Sequence, residues 1–124
     1  MRIGVLEDDP AICGLLKEVL ERLGHVVSVH RNGLDFLMEV LEEEQVTLSR
    51  PFDVVLVDLL LPTDISGIQA IHQVRISSPD LPIVVVSAVP SRDLEVVKTR
   101  YPGVKALQKP FRLADLLEAI EIGA

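Results

Sequence analysis

Five times along its length this chain sets a short aliphatic run ahead of a segment whose apolar residues recur at helical spacing. The runs are Arg2–Leu6, Val26–His30, Asp53–Val57, Ile83–Ser87 and a weaker Lys105–Gln108. Runs this short suit strands. The third, with its extension VVLVDLLL from Val54 to Leu61, is apolar on both sides of the pleat and so must be covered on both faces. Parallel strands need long crossovers, and the helical segments between the runs supply them with a right-handed turn. The expected fold is α/β, a doubly wound five-stranded parallel sheet with helices on both faces. At 124 residues, with no shift of composition and no repeat, the chain is expected to form one domain over 1–124.

The helical segments carry their own punctuation. In the first, Ile12, Leu15, Leu16, Val19, Leu20 and Leu23 share a stripe. Asp9 is placed as N-cap, Pro10 at the first helical position and Gly24 as terminator. The second is expected to start near Asn32-Gly33, to bury Phe36, Leu37, Val40 and Leu41, and to run into a solvated acidic stretch, Glu42 to Glu44. The third uses Ile68, Ile71 and Val74, with Pro79 and Pro82 bracketing its exit. The fourth uses Leu94, Val97 and Tyr101 and stops at Pro102-Gly103. The last puts Leu113, Leu116, Leu117 and Ile120 on one stripe.

Composition narrows the function. Twelve basic against nineteen acidic residues leave a formal charge of −7. That disfavours direct nucleic-acid binding, which needs cations against phosphates, and favours a divalent cation or a basic protein surface. Cys13 is the single cysteine; it is expected to pack as a small hydrophobe in a reduced compartment. No signal sequence is visible, and no apolar run reaches the ~20 residues that span a bilayer. A cytoplasmic location, away from membrane, is the expectation.

Polar chemistry gathers at the ends of the runs. Glu7-Asp8-Asp9 follows the first, Asp58 the third, Ser87 closes the fourth and Lys109-Pro110 follows the fifth. Asp58 stands inside the most apolar stretch of the chain, where a carboxylate is costly unless it lies at a strand tip facing water or a cation. Ligands bind in open α/β sheets at those tips. If the first and third strands are neighbours, ~5 Å apart, then Glu7, Asp8 and Asp58 crowd together and repel. A hard divalent cation relieves that conflict, and Mg2+ accepts a few carboxylates while keeping several waters. Lys109 adds a fixed positive charge and Ser87 a hydroxyl. A carboxylate nucleophile, a metal, an ammonium and a hydroxyl are the parts that phosphoryl transfer to an aspartate requires.

With LEDDP after the first run, VLVDLLLP at the third, VVVSA at the fourth and QKPF after the fifth, the chain resembles, over its whole length, the receiver domain of two-component response regulators. The resemblance implies the flavodoxin-like strand order 2-1-3-4-5. It further implies Asp58 as phosphoacceptor; Glu7, Asp8, Asp58 and the backbone carbonyl of Leu60 as Mg2+ ligands; Ser87 as the switch hydroxyl; and Lys109 as the lysine that contacts the phosphoryl group. The implied partners are a sensor histidine kinase or phosphotransfer protein, and a homodimer through helix four, strand five and helix five.

Three departures from the family pattern stand out. One extra residue separates Pro62 from Gly67, Ser87 replaces the commoner Thr, and Ala106 occupies the position of the aromatic switch residue. Without that aromatic, signalling is expected to pass through the loop Ala88 to Arg92 and helix four; Tyr101 lies too far along the chain to be assumed a substitute. Leu60 and Val89 stand where polar groups in relatives orient the attacking water, so a long-lived phosphoaspartate is expected. The alternative function is a phosphorylation-independent interaction module of the same fold. A turnover enzyme is not expected, because Leu60 takes the place of the second acid an aspartyl hydrolase commonly needs, and no Gly-rich phosphate loop is present. His25, His30 and His72 lack ligand spacing and are assigned structural roles, and Arg92, Lys98 and Arg100 are read as solvated charges.

Overall fold

The computed structural model describes residues 1–47, 52–61 and 65–123, with the backbone alone for 42–47, 122 and 123. Glu42 to Glu44 as a solvated face, and the shape of the lengthened loop at Pro62 to Asp64, therefore lie outside the described side chains and residues.

Strands β1 (Arg2–Leu6), β2 (Val26–His30), β3 (Val54–Val57), β4 (Ile83–Ser87) and β5 (Lys105–Gln108) alternate with helices α1 (Pro10–Arg22), α2 (Gly33–Thr47), α3 (Gly67–Ser77), α4 (Ser91–Arg100) and α5 (Leu113–Gly123). All pairings are parallel and the sheet order is β2-β1-β3-β4-β5. Asp53, expected to open the third strand, precedes it: its amide donates to the Arg2 carbonyl and its carboxylate accepts from the Arg2 amide. A side chain that closes a ring with the neighbouring strand takes the place of one rung of the ladder.

Two apolar layers flank the sheet. On one face α2, α3 and α4 press Phe36, Val40, Ile71 and Val97 against Val55, Val57 and Val85. On the other, α1 and α5 press Leu16, Leu20, Leu116 and Ile120 against Val5, Leu56 and Val86. Alternate residues of each strand serve opposite layers, which is why β1, β3 and β4 read as unbroken aliphatic runs. Four expected core positions are exposed instead. Leu15, Leu23 and Leu113 stand 56%, 54% and 44% open and Leu41 is at the margin. A helix on a sheet buries only one stripe, and Leu15 and Leu113 fall on its flank.

Local signals set the boundaries. The Asp9 side chain accepts from the Ala11 amide with Pro10 inside the first turn of α1, and Gly24 takes φ +93° just past its end. Ser66 and Gln69 form a reciprocal capping box on α3. Arg75, at the far end of α3, donates to the carbonyls of Pro79, Leu81 and Pro102. Each histidine has a local partner: His25 the N-terminal amine, His30 the Glu39 carboxylate, and His72 the Tyr101 hydroxyl.

Candidate functional site

The sheet order decides which polar residues meet. Leu6 pairs with Val57 in the ladder, so β1 and β3 end together, and the Asp58 amide extends the pairing by donating to the Leu6 carbonyl at 2.9 Å. Glu7 is anchored from the other side through its amide on the His30 carbonyl. Two carboxylates are thereby carried to adjacent strand tips, both nearly out of solvent at 3% and 4% exposure. Ligand oxygens of Glu7, Asp8 and Asp58 all lie within 4.8 Å of one another.

Lys109 reaches into this cluster from the end of β5, on the far side of β4. Its Nζ donates to Glu7 Oε2 at 2.8 Å and to Asp58 Oδ2 at 3.1 Å. Its own amide donates to the Ser87 carbonyl at 2.8 Å, which fixes the root of the lysine to the tip of β4. The second oxygens are also held: Glu7 Oε1 accepts from the Asp9 amide and Asp58 Oδ1 from the Leu60 amide. Ser87 is fully buried and its Oγ has no hydrogen-bond partner, an uncommon state for a buried hydroxyl. The structure thus brings Glu7, Asp8, Asp58, Lys109 and the Leu60 amide to one cluster, with the Ser87 hydroxyl at the neighbouring strand end and not bonded to any of them.

The electrostatics are unbalanced. One ammonium faces three carboxylates. Burial pushes the Glu7 carboxyl above its ordinary range; the Lys109 hydrogen bond pulls it back and the Asp58 charge adds to the rise. For Lys109 burial acts against the charged form, yet the two carboxylate bonds outweigh it and hold the ammonium above its ordinary value. Both directions describe one pocket with an excess of negative charge. The donors are hard oxygens at a spacing a single ion can bridge, and the charge surplus supplies the attraction, so the residues fit a divalent cation of the Mg2+ type.

Three further residues support this cluster. Gly67 sits so close to the main chain after β3 that a Cβ there would fall 2.1 Å from the Asp58 carbonyl oxygen. Arg31 braces the loop after β1 through its Nε and Nη2 on the Asp8 carbonyl, and Cys13 Sγ lies on the Glu7 carbonyl. The two backbone braces leave no periodic trace in the sequence.

The profile of the response regulator receiver domain matches residues 3–121 of this chain. The chain belongs to that family, the regulatory receiver domains of two-component systems. Among curated relatives it is 32% identical to the response regulator receiver protein CpdR of Brucella abortus, covering 97% of this chain and 93% of that protein. It is 33% identical to the response regulator MprA of Mycobacterium leprae over 97% of this chain, but spans only about half (49%) of MprA's length. The receiver structure of TrrA from Thermotoga maritima, solved with Mg2+ and BeF, superposes with a TM-score of 0.77 at 24% identity over 99% of this chain and 98% of that one. Receiver domains interact with histidine kinases and effectors and are regulatory rather than turnover enzymes. Among the described residues no helix is long and apolar enough to cross a membrane.

Proposed function

We propose that residues 1–124 act as one receiver unit in which Asp58 accepts a phosphoryl group from a phosphohistidine of a sensor kinase or phosphotransfer protein. The observation that carries this reading is the buried triangle of Asp58, Glu7 and Lys109 with Asp8 at its mouth. A repulsive acidic group of this kind has no structural use that an apolar core would not serve better.

Glu7, Asp8, Asp58 and the Leu60 carbonyl would hold Mg2+, which supplies positive charge against the developing charge of the transferred group. In the transfer an Asp58 oxygen bonds to phosphorus, and the P–N bond breaks with its electron pair returning to the imidazole nitrogen. Lys109, already donating to Asp58 Oδ2, needs only a small displacement to donate to a phosphoryl oxygen instead. The unpartnered Ser87 hydroxyl gains an acceptor when it turns toward the same group. Because Lys109 and Ser87 share a backbone hydrogen bond, a shift of either main chain is passed to the other. An apolar groove of about 510 Å3 between α1 and the Pro110-Phe111 turn opens beside Lys109 and suits the donor protein's approach. The responding face is α4–β5–α5, toward an effector or a second copy of the chain, in the cytoplasm where such donors act.

The test is incubation with Mg2+ and a small-molecule phosphodonor followed by intact mass. A single phosphoryl adduct is expected in the parent and none in Asp58→Asn. With Leu60 exposed and Val89 packed against the core, neither offering a polar side chain, the adduct is expected to outlast that of fast-cycling receivers. Ala106 favours one second reading, a phosphorylation-independent interaction module; absence of any adduct under every donor and metal condition would support it.

A further inference from the structure

β5 is an edge strand, bonded to β4 on one side only. The Lys109 amide donates to Ser87, and in a parallel ladder successive residues turn their amide and carbonyl alternately inward and outward. Leu107 and Lys105 therefore face β4, while Ala106 and Gln108 present N–H and C=O to the open side. A groove of about 370 Å3 lies there, lined by Lys98 of α4, by Lys105, Ala106 and Leu107, and by Glu118 and Ala119 of α5. The two helices cover opposite faces of the sheet, so a groove touching both runs along the strand's edge. Two alanines leave it open.

Lysine on an edge strand is usually a guard against unwanted pairing, with its ammonium in water. Lys105 does not do this. Its Nζ is covered from solvent and has no hydrogen-bond partner, although Glu118 and Asp115 line the same groove, Asp115 being engaged by Arg112. A covered cation without an acceptor calls for an anion.

We propose that the free edge of β5 receives an extended, acidic segment of a partner protein as a sixth strand, its backbone pairing with Ala106 and Gln108 and a carboxylate on the neighbouring position meeting Lys105. Strand addition of this kind takes affinity from main-chain bonds and specificity from alternate side chains. It does not depend on phosphorylation of Asp58, so either reading can fail alone.

The probe is a capped five-residue peptide alternating valine and glutamate, with its valine–lysine counterpart as control, added to the unphosphorylated full chain. The acidic peptide is expected to slow hydrogen exchange of the Ala106 and Gln108 amides and to bind roughly fivefold tighter than the control, as a cross-strand ion pair allows. Lys105→Met should erase that preference. Ala106→Pro should abolish binding while leaving the β4–β5 ladder whole, because proline is tolerated on an edge where the N–H points outward. A peptide N-methylated at alternate amides should fail likewise, without any change to the protein. Equal binding of both peptides, binding unaffected by either blockade, or no protection of these amides at millimolar peptide would overturn the proposal. So would a chain that forms an Ala106→Pro-sensitive dimer and ignores the peptide, since the edge would then belong to a second copy.

Discussion

Lys109 and Lys105 lie at opposite ends of β5, and their surroundings are opposite in kind. The first places its ammonium between two buried carboxylates; the second covers its ammonium and finds no acceptor. Sequence distance has nothing to do with it, because the partners of Lys109 lie 102 and 51 residues away. What differs is the end of the sheet. At the carboxyl ends, strand order brings the tips of β1 and β3 within reach of a side chain rooted beyond β4. At the other end of β5 there is a free edge on one side and aliphatic β4 on the other. A buried charge is cheap only where topology has delivered its counter-charge.

That contrast is breakable by substitution. Lys109→Met should have the largest effect on stability, because it strands Glu7 and Asp58 without a counter-ion; a loss of roughly 3–5 kcal/mol is expected in metal-free denaturant unfolding, partly recovered by Mg2+. Recovery absent at saturating Mg2+ would mean the carboxylates do not share an ion. Gly67→Ala comes next, at about 1–3 kcal/mol or somewhat more, since the added methyl must displace the Asp58 carbonyl. Should its unfolding midpoint match the parent's, α3 is free to slide and does not fix Asp58.

The acidity of Glu7 gives a third, smaller effect with a defined sign. Its folded carboxyl titrates above the ordinary 4.5, so its favourable contribution is full below the unfolded value and disappears as pH rises through the folded one. Metal-free Glu7→Gln should therefore unfold at higher denaturant than the parent at neutral pH and equally in acid. Mg2+ affinity of the parent should weaken on acidification before an ordinary glutamate would titrate, which calorimetry across pH can read. Smallest is Lys105→Met, expected within about 1 kcal/mol of the parent or slightly more stable, because removing an unpaired cation gives up no bond. A loss comparable to that of Lys109→Met would erase the distinction between the two lysines.

The fold could be read from the chain almost element by element because its signals are local. Aliphatic runs of both-face strands, the Asp9-Pro10 start and the Gly24 stop all lie within a few residues of what they specify. Leu15 and Leu113 misled because spacing identifies a stripe but not its width, and the sheet covers only the middle of it. The convergence of Glu7, Asp8, Asp58 and Lys109 was expected from strand tips once the order of strands was supplied, and that order came from resemblance. Periodicity alone leaves it open. The Arg31 brace, the Leu60 amide on Asp58 and the idle ammonium of Lys105 had no sequence signature, since each depends on where a long side chain or a turned backbone finishes in space.

Arg75 carries a consequence of its own. Its guanidinium holds carbonyls from the loop entering β4 and from the loop entering β5, so the strands that bear Ser87 and Lys109 hang from one mooring on α3. Slack in that single side chain would be felt at both strands together, which makes the underside of the molecule, well away from the Glu7, Asp8 and Asp58 cluster, a place where its responsiveness can be tuned.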